Sequence, residues 1–206
     1  MLISLEGIDG CGKTTQIQKI EAFYKSRGRE VRVFREPGGT GLSEQIREIL
    51  LNSKEDIHPL AETLLFSAAR AQLVARQVRP LLQEGTIVIL DRFYDSTTAY
   101  QGFGREALPV EDIENINRIA TAGLQPDITF YLKIDEDIAL KRRLKSGEED
   151  RMERSGNAFF SRVAKGFDHI ASKNKRVATI DASRNPDEIF SDIRSHLLKA
   201  DTRFGP

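Results

Sequence analysis

Five short runs of apolar residues, rich in β-branched side chains, punctuate the chain: Leu2–Leu5, Val31–Phe34, Ile87–Leu90, Ile128–Leu132 and Val177–Ile180, each bounded by charge, Gly or Pro. Runs of this length and composition predict buried strands. Longer stretches between them place apolar residues at helical spacing: Ile17, Ile20 and Tyr24; Ile46, Ile49 and Leu50; Leu60, Leu64 and Ala68; Ile189, Ile193 and Leu197. Strand and helix alternate, so the expected fold is α/β, a five-stranded parallel sheet with helices on both faces. The segment Lys145–Asn157 breaks the pattern. It has almost no apolar side chains, carries Gly147 and Gly156, and predicts an exposed, mobile flap or lid. The last residues, Lys199–Pro206, predict a frayed end. No repeat or linker divides the 206 residues, which predict one domain.

Composition narrows the function classes. Lys plus Arg and Asp plus Glu each total 31, so the formal net charge is zero. No whole-molecule field then draws the protein onto nucleic acid or anionic lipid, and any bound anion must be held by a local pocket. Cys11 is the single cysteine, which rules out an internal disulfide, and Met1–Glu6 lacks the pattern of a secretory signal. A cytoplasmic location is expected. No apolar run approaches the roughly 20 residues that cross a bilayer, so no membrane association is expected.

One motif carries explicit chemistry. Gly7-Ile8-Asp9-Gly10-Cys11-Gly12-Lys13-Thr14 fits G-x-x-x-x-G-K-S/T, directly after a strand and directly before a helix. Glycines let the backbone wrap phosphate oxygens with its N–H groups, and the helix adds its positive end. Lys13 reaches the β- and γ-phosphates in such loops, and Thr14 offers Mg²⁺ a hydroxyl. The expected ligand is therefore ATP with Mg²⁺, gripped by residues 7–14 and by Thr15. Cys11 sits at an unspecified motif position with no histidine near it in sequence, and is given no catalytic role.

A phosphate loop alone does not separate kinases from switches and motors. The run Ile87–Leu90 ends in Asp91-Arg92, a carboxylate and a guanidinium at the strand edge where α/β sheets bind ligands. Asp91 is a candidate for the Mg²⁺ shell and Arg92 for a phosphate fork. Arg35-Glu36-Pro37-Gly38-Gly39-Thr40 follows the second strand. Phe66 and Arg70 stand four apart on one helix face, an aromatic surface beside a guanidinium, a pairing that suits a nucleobase and its carbonyl edge. Arg142, Arg143, Arg151 and Arg154 lie in or beside the polar flap, where a mobile arginine could neutralise a transferring phosphoryl group.

These segments together resemble the bacterial thymidylate kinase family. The likeness rests on Glu6-Gly7-Ile8-Asp9-Gly10-Cys11-Gly12-Lys13-Thr14-Thr15-Gln16, on Arg35 to Thr40, on Leu65-Phe66-Ser67-Ala68-Ala69-Arg70, on Asp91-Arg92-Phe93-Tyr94-Asp95-Ser96-Thr97-Thr98-Ala99-Tyr100-Gln101-Gly102, and on Pro126-Asp127-Ile128-Thr129-Phe130-Tyr131-Leu132. The resemblance implies the fold of the P-loop nucleoside monophosphate kinases and ATP-dependent phosphorylation of thymidine monophosphate (dTMP). It implies that Phe66 stacks on thymine, that Arg70 contacts its carbonyl edge, and that Arg35, Arg47 and Arg92 are the basic residues near the acceptor's phosphate and sugar, with Glu36 a further substrate-binding candidate. Ser96, Thr97, Tyr100 and Gln101 would wall the nucleoside pocket, and Asp9 would lie near the sugar. Lys13, Arg92, Asp9 and a lid arginine would form the catalytic set, with Arg151 the candidate and Arg143 and Arg154 in reserve. The resemblance also implies a homodimer.

The acceptor phosphate is already an anion near neutral pH, so such a transfer needs positioning and charge neutralisation rather than a general base. The nearest alternative is a kinase of the same architecture that takes a different nucleotide or a nucleoside; for a nucleoside it would need a carboxylate base, for which Glu36 and Asp9 are candidates. A P-loop switch acting through a protein partner would hydrolyse ATP slowly and ignore dTMP.

Overall fold

The computed structural model describes residues 1–143 and 156–204. All five expected strands form: β1 (Leu2–Glu6), β2 (Val31–Arg35), β3 (Ile87–Asp91), β4 (Ile128–Lys133) and β5 (Val177–Asp181). Each runs one residue past its apolar segment to end on a charged side chain, because the carboxyl edge of the sheet is where the core stops. All pairings are parallel, in the order β2-β3-β1-β4-β5. The chain leaves β1 toward β2 but leaves β3 toward β4, on the other side of β1. With right-handed crossovers these two connections cover opposite faces, which opens a crevice between the ends of β1 and β3.

Each strand face buries its own helices. Ile87 and Ile89 of β3 join Ile3, Leu5, Phe130 and Ile180 in one cluster with Ile17, Ile20 and Tyr24 of α1 (Lys13–Lys25) and Ile189, Ile193 and Leu197 of α9 (Pro186–Phe204). The alternate residues, Val88 and Leu90, pack with Leu2 against Leu73, Val74, Val78 and Phe93. The predicted faces of α1 and α9 are thus the buried ones. Helix α9 also extends through much of the tail expected to fray, because Asp201 accepts a hydrogen bond from Tyr24 Oη at 3.0 Å and pairs with Arg27 at 3.6 Å. Residues 205 and 206 lie outside the described residues.

The two helices after β2 depart from the expected register. In α2 (Gly41–Asn52), capped by Thr40 Oγ1 accepting from Ser43 N–H at 3.1 Å, Ile46 and Leu50 are buried but Ile49 is 50% exposed. In α3 (Pro59–Leu73) the predicted face is turned outward: Leu64 is 50% exposed and Ala68 is exposed, while Glu62, Thr63, Ser67 and Arg70 are buried. Polar groups can occupy the inner face because each is hydrogen-bonded there, and Arg70 also lines a cavity. Helix α3 continues through a π-helical stretch (Val74–Val78) into α4 (Arg79–Gln83). After β3, α5 (Tyr94–Thr97) likewise continues as a π-helical stretch, Thr98–Gly104, before α6 (Val110–Ala120). α7 (Glu136–Arg143) precedes α8 (Asn157–Lys173), whose Phe159, Phe160, Val163 and Phe167 pack on Ala99 and Tyr100. Gly166 permits that approach, since a Cβ there would lie 3.0 Å from Ala99 Cα. The expected flap falls mostly within residues 144–155, outside the described residues.

Candidate active site

The phosphate loop leaves β1 at Gly7 and enters α1 at Lys13. Gly10 has φ 85°, and a Cβ there would stand 2.3 Å from Ala139 O, so α7 closes on the loop only where the side chain is absent. Lys13 folds over the loop: its Nζ donates to Gly7 O at 3.1 Å and Ile8 O at 3.3 Å and lies 3.7 Å from Asp9 Oδ1. Those carbonyls are weak competitors for an ammonium that arriving phosphate oxygens would claim. Thr14, Thr15, Gly10, Gly12 and Lys13 line one chamber with Arg35, Asp91 and Arg142. Cys11 is 1% exposed and burial pushes its thiol up despite Lys13 nearby, which agrees with its having no catalytic role.

At the end of β3 the backbone turns sharply. Arg92 has φ 68°, a left-handed conformation that costs a non-glycine residue about 1–3 kcal/mol and concentrates at functional sites. That turn aims the guanidinium back across the crevice. Its Nη1 donates to Gly7 O at 2.9 Å and Ser96 Oγ at 3.1 Å, and its Nη2 to Asp9 Oδ1 at 2.6 Å and Tyr100 Oη at 3.2 Å. Burial pushes the Asp9 carboxyl up, but Arg92 and Lys13 outweigh it and hold it well below the usual carboxylate range. Beneath them Glu6, 0% exposed, accepts from Phe93 N–H at 2.8 Å and Ser96 Oγ at 2.6 Å. Its carboxyl is pushed up to about 8, first by burial and then by the Asp95 charge.

A second cavity opens beside this turn. Its wall combines Phe66, Arg70, Ser96, Thr97, Tyr100 and Gln101 with Pro37, Leu51 and Phe93. Phe66 is half-buried and packs on the Ile46, Leu50 and Ala69 cluster, so it serves the core and the cavity together. Arg70 is 2% exposed and held from several sides: Nε donates to Glu36 Oε2 at 2.7 Å, Nη1 to Asn117 Oδ1 at 3.0 Å, and Nη2 to Thr97 Oγ1 at 2.9 Å and Phe93 O at 3.3 Å. Burial raises the Glu36 carboxyl in spite of Arg70, and Glu36 Oε1 has no hydrogen-bond partner among the described residues.

The two chambers meet. Asp9, Glu36, Arg47 and Arg92 line both of them. A phosphate loop thus opens, past an arginine and an acid, directly into an aromatic, polar-walled cavity. The thymidylate kinase family model matches residues 5–193. The chain belongs to the thymidylate kinase family. It is 48% identical to the thymidylate kinase of Chlorobaculum tepidum, covering 96% of both chains, and 51% identical to that of Chlorobium luteolum, covering 94% of both. The thymidylate kinase of Chlorobaculum parvum is 50% identical, over 96% of this chain and 95% of that one.

Most residues assigned through the thymidylate kinase resemblance gather at these chambers. Arg35 lies on the phosphate-loop side, away from the aromatic wall, and gives Nη2 to Glu44 at 2.8 Å. Arg47 donates to Pro37 O at 3.0 Å. Arg151, Arg154 and the side chain of Arg143 lie outside the described residues. No local pattern points to Asn117, which reaches Arg70 from α6, or to Glu62 behind Gln101. Glu6 could have been suspected, as a charge closing an apolar strand directly before the loop. A third cleft, also unforeseen, lies beyond the loop between Thr15, Gln16, Arg142, Arg184 and Pro186.

Proposed function

We propose that this chain transfers the γ-phosphoryl group of ATP to dTMP, giving dTDP for dTTP synthesis, within a single kinase domain whose lid spans about residues 145–157. The observation that carries this reading is the shared lining of the two chambers, which brings a phosphate-loop ligand and an aromatic-walled ligand to one Asp9–Arg92 pair. Lys13 and the loop hold the donor phosphates. The oxygen donors fit magnesium: among the described residues the Thr14 hydroxyl and the Asp91 carboxylate face the donor chamber without hydrogen-bond partners. No cluster of three or more His, Cys, Asp or Glu there could hold a metal alone, which suits an ion brought in on nucleotide phosphates. Bound Mg²⁺ would supply neutralisation of phosphate charge.

Arg92 orients the acceptor phosphate, held for that task by Asp9, Ser96 and Tyr100. Phe66 stacks on the base and Arg70 donates to its carbonyl edge. Arg151 closes over the transferring group and excludes water. Asp9 is a poor general base because its proton affinity is lowered, which favours a phosphate acceptor over a neutral hydroxyl. A coupled ADP-release assay with ATP and Mg²⁺ tests the reading. Selective stimulation by dTMP over other monophosphates supports it; release that stays at its acceptor-free level, or responds only to thymidine, overturns it.

The homodimer is part of the same proposal. Exposed apolar side chains fall on three neighbouring helices: Leu42 and Ile49 on α2 and Leu64 on α3, each 50% exposed, and Ile119 on α6, 72% exposed. Burying such a face against its copy accounts for the outward stripe on α3. Sedimentation should give a dimer, converted to monomer by Leu64→Asp; a wild-type monomer at micromolar concentration removes the proposal. No helix among the described residues is long and apolar enough to cross a membrane. A cytoplasmic location is proposed on the unpaired thiol of Cys11, and cell fractionation tests it. Zero net charge argues against nucleic acid as a partner, so retention on immobilised DNA at physiological salt is not expected.

A further inference from the structure

Gln101 lines the acceptor cavity yet is 1% exposed, and its Nε2 donates to Glu62 Oε1 at 2.9 Å. Glu62 is 0% exposed on the inner face of α3, and the Arg105 guanidinium, with Nε 3.4 Å from the same oxygen, compensates its charge. A carboxylate that is ionised can only accept, whereas an amide can present either end. Glu62 therefore dictates which way the Gln101 amide faces. Its N–H₂ end turns to Glu62, and among the described residues nothing in the chain donates to its Oε1.

Arg70 presents the opposite character from the same wall. Of its five N–H groups, four are engaged by Glu36, Asn117, Thr97 and Phe93, leaving one on Nη1. The wall thus offers one donor and one acceptor. The thymine ring carries a carbonyl, O4, beside a donor, N3–H, and complements that pair. Cytosine carries an amino group and a bare ring nitrogen at the same two positions, so donor would face donor and lone pair would face lone pair.

We propose that Glu62 sets the base specificity of the acceptor site, by fixing the Gln101 amide in the orientation that accepts N3–H. Glu62 touches no substrate; it is a positioning residue, and the proposal rests on dTMP being the acceptor. Uracil has the same N3–H and O4 edge as thymine, so Glu62 discriminates against dCMP and not against dUMP.

Glu62→Gln keeps the volume and frees the Gln101 amide to turn. The dTMP to dCMP ratio of kcat/KM should fall by about tenfold, the worth of one mispaired hydrogen bond, mainly through KM for the acceptor. The dTMP to dUMP ratio and the KM for ATP should hold. A loss shared equally by dTMP and dCMP would overturn the proposal, since it would mark Glu62 as merely structural. A second measurement needs no variant: the wild-type enzyme should turn over N3-methylated dTMP far more poorly than dTMP, and equal turnover of the two also overturns it. If the wild-type protein did not phosphorylate dTMP at all, the proposed function would fail first, in a control distinct from either result.

Discussion

The donor and acceptor chambers meet at the same residues but are built on opposite plans. On the donor side the site is mostly backbone from one short segment, and Lys13 bonds to carbonyls five and six residues away. On the acceptor side the polar wall groups Arg70, Gln101 and Ser96 are held by distant partners: Arg70 by Glu36, 34 residues away, and Asn117, 47 away; Gln101 by Glu62, 39 away; Ser96 by Glu6, 90 away. A loop that cradles phosphate can do so with little help from the core. A wall that reads a base without wobble must be part of the core, since only buried, mutually bonded side chains hold their donors and acceptors fixed. Function and stability should therefore separate on the donor side and stay joined on the acceptor side.

The largest expected effect tests the first half. Lys13→Ala should cost about a thousandfold in kcat, as loss of a charge stabiliser at a transferring group does, because no other side chain replaces it. Since Lys13 bonds only within its own loop, the melting temperature should move by no more than about 2 °C. A large drop in melting temperature would show that the donor loop is core after all. Arg70→Ala tests the second half. It strips Glu36, Asn117 and Thr97 of their partner together, and should cost about 3 kcal/mol of stability, the low end for a broken buried pair because the adjoining cavity admits water. Melting should fall on the order of 10 °C alongside a raised KM for dTMP. An Arg70→Ala protein that melts like wild type would refute the contrast.

The same difference explains what could be read from the residues alone. Strands, their order of alternation and the phosphate loop are local, and each was legible because a short window contains its whole cause. The faces of α1 and α9 were legible too, since both bury apolar stripes against the sheet. Helix α3 was not. Its Leu60, Leu64 and Ala68 stripe has ideal helical spacing, but spacing reports that a face is apolar and not what it meets. The face carrying Glu62, Thr63, Ser67 and Arg70 won the interior because each of the four hydrogen-bonds there, to partners that come in part from α5, α6 and the loop after β2. The pairing of Phe66 with Arg70 was legible from its helical spacing and Ser96, Tyr100 and Gln101 from resemblance, while their supports, Glu6, Glu62 and Asn117, came only from the three-dimensional arrangement.

Glu6 gives the finest test, because it lies under the junction of the two chambers. Its oxygens hold Phe93 N–H and the Ser96 hydroxyl, and Ser96 in turn accepts from Arg92. An unfolded glutamate titrates near 4.5, whereas burial first and the Asp95 charge second push Glu6 up to about 8 in the fold. Between those values the folded protein keeps a proton that the unfolded chain releases, so this group's contribution to stability falls as pH rises through that window. Asp9, held low, titrates beneath the window, and Glu36, raised by burial, changes stability in the same direction as Glu6 but equally in both proteins compared. Glu6→Gln removes the titration while keeping an acceptor for Phe93 N–H and offering Ser96 Oγ a donor. Relative to wild type it should therefore gain stability from pH 5 to pH 7 by on the order of 1 kcal/mol, discounted for water drawn in as a buried carboxylate ionises. Melting curves for the two proteins across that range decide the point, and parallel profiles would mean that Glu6 releases its proton no later in the fold than in the open chain.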